Sequence, residues 1–342
     1  MTRTTKGLAL AIVTAVVVVF QVAAPANACA CGAPAPVPGT EVNVNQETAI
    51  VRWDGDREEI VMQLDMISDA GETGLVVPTP TPATVTAGDA EAFDDILREI
   101  EPREEIEYDW WGPNPFTSGM TGAPGGSAPE VLDQVQLGPI EATTLAASDA
   151  EGLTAWLDEN GYALSSAVAG ELSPYVADGW SFVALKLTGE VPFDGELDPI
   201  RFTFDSESLV YPMRMSRAAD SEQNVRLYVF DDHRSTVSGT DGDLAIAPSV
   251  YWAAPVSDSG LSELGAFLTV VDLSWADPSA QISGDLAIEQ ASSDDTVIPT
   301  YTRVEIVTVA GIPVGPLVIF LLVVTLAVSV VVVVVVRRSR RT

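Results

Sequence analysis

Histidine, cysteine and lysine are almost missing from this sequence. Its 342 residues contain one histidine and two cysteines, and 17 Lys and Arg stand against 49 Asp and Glu. Lysine is confined to Lys6 and Lys186. Two cysteines in so long a chain exclude a disulfide-framed fold. They also lack the partners of a zinc clip, because the lone His233 is remote in sequence. The shortage of basic residues excludes nucleic acid as a partner, since that binding rests on neutralising phosphates. No serine stands in a Gly-x-Ser-x-Gly elbow, and no alternating Asp/Asn run with a glycine and a closing Glu forms a calcium loop. No metal and no cofactor is therefore expected.

Charge-free apolar runs, by contrast, stand at both ends. Arg3 and Lys6 precede an uncharged stretch from Gly7 to Phe20, and Ala26-Asn27-Ala28 comes just before Cys29. A basic head, a short apolar core and small residues at a cleavage point read as a secretory signal peptide over 1–28. The core of about 14 residues is shorter than the roughly 20 a membrane helix needs. An uncleaved N-terminal anchor is the alternative, and it leaves the middle of the chain on the same side. The second run, Ile312 to Val336, carries no charge and ends in seven consecutive valines from Val330. At 1.5 Å per residue it reaches about 37 Å, enough to cross a hydrocarbon core of about 30 Å with some tilt. Valine disfavours helix in water, but a lone span in lipid has only the helix open to it. Arg337, Arg338, Arg340 and Arg341 come directly after it, and Arg303 is the nearest basic residue before it. The positive-inside bias then puts the tail in the cytoplasm and the bulk of the chain outside.

Every acidic residue lies between the two runs. Two of the 17 basic residues fall in the leader and four in the tail, so the middle carries 11 − 49 = −38. Such a charge keeps a surface solvated and repels anionic partners. Asp241-Gly242-Asp243 and Ser292-Ser293-Asp294-Asp295 read as turn chemistry rather than ligand sets. The expected organisation is a lead-in over 29–46 and an extracytoplasmic domain over 47–280, in two similar sub-blocks at about 47–130 and 131–280. A membrane-proximal segment comes next over 281–310, then a transmembrane helix over 311–336 and a tail over 337–342.

Within that domain Thr48–Trp53 and Glu59–Asp65 form a hairpin, turned by Asp54-Gly55. Gly74–Val77 is a strand whose trailing prolines, Pro78, Pro80 and Pro82, predict an edge or an exit loop. Asp89 caps a helix with Phe93, Ile96, Leu97 and Ile100 on one face, and Pro102 ends it. Glu107 to Pro129 lacks any period and reads as a long surface loop. A strand over Val135–Ala146 leads to a helix capped by Ser148 and stopped at Asn160-Gly161, with a short helix beyond it around Leu172–Val176. Strands are predicted over Ser181–Leu187, Pro199–Phe204, Ser208–Met215 and Val225–Phe230, while Leu261–Val271 mixes both signals. Ile282–Tyr301 is poorer in apolar residues and reads as the approach to the membrane. Strand, acidic turn and strand before Val76-Val77-Pro78, and again before Val210-Tyr211-Pro212, hint at an internal repeat. Runs of strands with helices between them predict an α+β fold, rich in antiparallel sheet, plus one C-terminal transmembrane helix.

Several motifs together resemble a bacterial family known as domain of unknown function 2330. They are Cys31-Gly32, Glu47-Thr48-Ala49-Ile50-Val51 with Trp53-Asp54-Gly55, Val76-Val77-Pro78, Trp156-Leu157-Asp158-Glu159-Asn160-Gly161-Tyr162, Tyr175 with Gly179-Trp180-Ser181-Phe182-Val183-Ala184, and Leu209-Val210-Tyr211-Pro212. The resemblance implies a secreted or membrane-anchored protein and supplies no catalytic residues.

Candidate site residues are few. Cys29 and Cys31 are expected to form a local disulfide outside the cytoplasm, with intermolecular pairing and lipidation of Cys29 as alternatives. His233, between Asp232 and Arg234, reads as a turn histidine rather than a catalytic base. Tyr108-Asp109-Trp110-Trp111-Gly112-Pro113 is the most unusual cluster: Trp110 and Trp111 in a loop could stack on a sugar or a protein partner, or fold back and be buried. The expected partners are the membrane, through the C-terminal helix, and an envelope component or protein. The expected function is a non-enzymatic surface binding or assembly module. The alternative is an exterior hydrolase that uses paired carboxylates on an envelope glycan.

Overall fold

The computed structural model describes residues 32–36, 42–68, 72–111, 140–147, 149–162, 164–188 and 194–340. Cys29, Cys31, the N-terminal apolar run and the Gly/Pro/Ser-rich stretch after Trp111 lie outside them. The first elements in the chain are β1 (Ala33–Pro36), β2 (Val42–Trp53), β3 (Arg57–Ser68), β4 (Glu72–Thr79), β5 (Thr84–Ala87), α1 (Ala90–Glu99) and β6 (Arg103–Asp109). Next come β7 (Ile140–Ala146), α2 (Ala150–Glu159), α3 (Ser166–Ala177), β8 (Ser181–Thr188), β9 (Asp194–Glu196), β10 (Ile200–Asp205) and β11 (Leu209–Tyr211). The last part holds β12 (Gln223–Asp231), β13 (Ser235–Gly239), β14 (Ser249–Pro255), β15 (Phe267–Trp275), α4 (Pro278–Gln281), β16 (Leu286–Gln290), β17 (Thr300–Ile306), β18 (Thr308–Val309), β19 (Ile312–Pro313) and α5 (Val314–Ser339).

The hairpin forms as its turn chemistry dictates. Gly55 takes φ +103°, and the Asp54 carboxylate accepts the Asp56 and Arg57 amides at 3.2 and 2.8 Å. These backbone donors hold the Asp54 carboxyl below its ordinary pKa. The β2–β3 pair lies inside a large sheet of order β14-β15-β12-β2-β3-β10-β5, with β9 added on β3. Pairing is antiparallel except between β2 and β12. A four-stranded antiparallel sheet has the order β1-β4-β8-β7, and a three-stranded one the order β11-β16-β13.

Alternation along the strands builds the layers. Ile60, Met62, Leu64 and Met66 of β3 share one core with Leu75 and Val77 of β4 and with Val183 and Leu185 of β8. The three-stranded sheet adds Tyr211, Val237 and Leu286 to that core. The opposite face of the large sheet offers Ile50, Val61, Tyr228, Phe230 and Val270 to Phe93 and Ile96 of α1. The opposite face of the four-stranded sheet offers Val76, Phe182 and Ala184 to Leu153, Leu157 and Leu172 of α2 and α3. The result is helix, sheet, sheet and helix in layers. Strands buried on both faces read as continuous apolar runs, which is why Val-Val and Phe-Val-Ala-Leu segments mark the middle of this molecule.

Several expectations change. β4 is an internal strand and not an edge: β1 pairs with residues 73–76 only, so Pro78 lies beyond the end of that neighbour and its missing N–H breaks no ladder there. Asp149, not Ser148, caps α2, its carboxylate accepting the Gly152 amide at 2.6 Å; Ser148 lies outside the described residues. Glu107 to Asp109 belong to β6, which pairs in parallel with β17 over seven residues. The stretch read as an approach to the membrane contains β16, whose Leu286 and Ile288 are buried in the central core. Before Val210-Tyr211-Pro212, β10 pairs with β3 and β5 while β11 joins the separate three-stranded sheet. Leu261–Val271 divides into a 3-10 turn at Leu261–Glu263 and the start of β15.

α5 is long and apolar enough to cross a membrane, and none of its most apolar window is buried against the rest of the chain.

Candidate functional site

The most distinctive site lies where the β6–β17 pair meets α5. Arg103–Tyr108 and Thr300–Ile306 are exposed on both faces, so this two-stranded ribbon is a stem rather than a core element. Glu104 and Arg303 form an ion pair at 3.2 Å across it. At its end the Asp109 carbonyl accepts the Val307 amide at 2.9 Å, and Val307 in turn accepts the Val314 amide at 3.0 Å. Between them β18 and β19 make a minimal hairpin through Ala310 and Gly311, with φ of +52° and +79°. Two successive positive φ angles are what such a tight two-residue turn requires.

Trp110 and Trp111 sit on this corner. The Asp109 carboxylate accepts the Trp111 amide at 2.8 Å, and the Trp110 carbonyl accepts the amide of Gly315, the second residue of α5, at 2.6 Å. A Cβ at position 315 would come within 2.6 Å of the Trp111 ring, so glycine permits the close approach. The two indoles are 52% and 61% exposed. Among the described residues nothing buries either side chain by more than half.

The other titratable candidates fall elsewhere. His233 lies in an exposed turn, with Nδ1 2.9 Å from Asp294 Oδ2. That hydrogen bond and the charge of Asp294 raise the imidazole pKa and lower that of the carboxyl. Asp294 also accepts the Arg234 amide, so the pair ties the turn after β12 to the loop after β16. Within the body, Asp285 is buried, its Oδ1 accepting the Tyr175 hydroxyl at 2.5 Å and the Met213 and Arg214 amides at 2.7 and 3.1 Å. Arg214 reaches the second oxygen at 3.1 Å, Asp178 at 2.7 Å and Asp241 at 3.6 Å. Burial pushes the Asp285 carboxyl up despite these partners, and it pushes the Tyr175 hydroxyl well up. Glu47, also buried, accepts the Tyr211 hydroxyl. Glu58 is wholly buried, and desolvation drives its pKa well above the ordinary value; one oxygen accepts the Val210 amide at 3.2 Å.

A cleft of 390 Å³ opens between α1 and the strands beneath it, where Asp65 and Glu196 stand opposite each other across β3 and β9 and Asp94 lines the facing wall. Arg226 in the same cleft is held by Asp272 through two bonds, at 2.6 and 2.9 Å, which raise its pKa further. Neither Glu58 nor Asp285 lines this cleft. Among the described residues no group of three or more His, Cys, Asp or Glu is placed to hold a metal ion.

Sequence reasoning found the tryptophan pair and missed the buried carboxylates. Tyr175 and Asp285 are 110 residues apart and Tyr211 and Glu47 are 164 apart, so no local pattern links them. Residues 25–289 match a family described as an uncharacterized protein conserved in bacteria, domain of unknown function 2330. No curated protein matches the chain, and no solved structure does.

Proposed function

The chain belongs to this bacterial family, and on that premise we propose that it is a single-pass envelope protein that displays its strand-rich acidic body outside the cell membrane as a binding or assembly module. The observation that carries the reading is α5, a 26-residue helix whose most apolar window is not buried by any of the described residues. Arg337 and Arg338 in its last turn support a cytoplasmic tail, and the leader over 1–28 supports export of the body. The use made of the perturbed carboxyls supports a non-enzymatic role: Glu58 and Asp285 are spent on internal contacts and stand apart from the cleft beneath α1.

A second reading rests on that cleft. Asp65 and Glu196 are register partners, so their Cβ atoms are about 5 Å apart. Side chains on neighbouring register positions can bring two carboxyls to the separation of about 5 Å that retaining glycosidases use. Incubating purified protein with envelope glycans separates the two readings: turnover abolished by D65N and E196Q would establish the hydrolase and remove the display module.

Topology is tested with a tag fused after Thr342. Protease added outside spheroplasts is expected to digest the body and spare the tag. Digestion of the tag with the body protected would reverse the orientation.

A further inference from the structure

We propose that Trp110 and Trp111 form a lipid-interface anchor, seated among zwitterionic headgroups where α5 enters the bilayer, and that they set the stance of the body on the membrane. The inference rests on the reading of α5 as a span and adds a second, side-chain contact with lipid to it.

Position is the first argument. Val314 to Val336 is free of charge and, at 1.5 Å per residue, about 34 Å long, slightly more than the hydrocarbon core of about 30 Å. The first turn of α5 therefore lies at the headgroup boundary. Trp110 and Trp111 are fastened to that turn, one through its carbonyl on the Gly315 amide and one through its ring against the Gly315 backbone. They share its depth.

Chemistry is the second. An indole is a broad apolar body with one N–H donor, and tryptophan gathers at bilayer interfaces because that boundary satisfies both. In water, two half-exposed tryptophans on a corner whose acid, Asp109, is engaged by the Trp111 amide are costly apolar surface. Here they continue into further exposed apolar side chains of the same corner: Ile306, Val309 and Ile312 are 41%, 55% and 50% exposed. From Ile306 to Pro313 the chain carries no charge. Lipid contact covers the whole patch at once.

The placement of charge is the third. The acids begin one step higher, on the stem, at Glu104, Glu105, Glu107 and Glu305. Asp109, the lowest of them, is turned to hold the Trp111 amide. A boundary between charged stem and apolar corner is what a membrane surface selects. So many carboxylates close to the bilayer disfavour anionic lipid, which is why the partner is a zwitterionic interface.

The test uses full-length protein reconstituted in phosphatidylcholine vesicles with quencher-labelled lipids, the label being either near the headgroup or near the acyl-chain end. Trp110 and Trp111 are two of seven tryptophans. The shallow label is expected to quench roughly a quarter of the emission, the deep label several-fold less, and W110F/W111F to lose at least half of the shallow quenching. Wild-type protein alone decides the matter should the variant fold poorly: emission untouched by shallow lipid and quenched by iodide in the water overturns the anchor. So does shallow quenching that survives the double substitution. Alkaline carbonate extraction separates the two levels: release of the wild-type protein removes the span and the anchor together. Retention without lipid quenching removes the anchor alone and returns the tryptophans to a soluble ligand.

Discussion

Glu58 and Asp285 are both buried carboxyls with raised pKa values, yet they respond to substitution in opposite ways. Glu58 has few partners, the Val210 amide on one oxygen and the Ser206 side chain beside it, and its other oxygen is unpaired. Its folded pKa lies above the unfolded value near 4.5. The stability it contributes is therefore complete below pH 4.5 and is lost as pH rises through the folded value. Each unit of displacement corresponds to about 1.4 kcal/mol. Glu58→Gln keeps an acceptor for Val210 and removes the ionisation, so chemical denaturation at pH 7 should show a gain on the order of 1 kcal/mol that vanishes below pH 4.5. Asp285 instead accepts three donors and faces Arg214. Asp285→Ala leaves those donors and the guanidinium short of partners, and the same measurement should show a loss of about 3–5 kcal/mol. A gain at Asp285 or a loss at Glu58 would show that burial is not what governs the pair.

At the level of elements, what was legible in the chain was whatever a local pattern can carry. α1 reads directly, from the Asp89 cap to the buried Phe93 and Ile96. The β2–β3 hairpin reads from Asp54-Gly55, and β8 from its alternation. The candidate tryptophans read as a cluster. Their surroundings did not, because β6 and β17 are nearly 200 residues apart and mostly exposed on both faces, so neither shows the period of a half-buried strand. Of the edge or exit loop expected from the prolines, the exit holds at Pro80 and Pro82, which follow the end of β4. The edge fails for a related reason: proline forbids a bond only where a neighbour is present, and the reach of β1 is not written in β4. The cap of α2 shows the same limit at one residue. Ser148 and Asp149 are both good capping types, and only the strand-to-helix geometry selects between them. Asp149→Ala should cost about 1 kcal/mol in thermal or denaturant unfolding, while a comparable loss from Ser148→Ala would shift the cap back by one position.

For the whole molecule the dominant quantity is charge. A net −32 over 342 residues concentrates in the body, since the last turn of α5 is basic and the span is neutral. Internal pairing offsets little of it: Arg52 and Arg201 share Glu59, and Arg214 serves three aspartates. The surplus of acids over bases repels through solvent, at distances that salt can screen. Raising ionic strength from 0.1 to 1 M shortens the screening length from about 10 Å to about 3 Å. Melting temperature in detergent should therefore rise with sodium chloride, by a few degrees, even though the exposed ion pairs weaken. The identity of the cation separates diffuse repulsion from a built site. At matched ionic strength calcium and sodium should protect alike if the acids act as a distributed field. A saturable calcium effect at millimolar concentration would instead mean that carboxylates converge on one ion, and the acidic surface would need to be read as a ligand set.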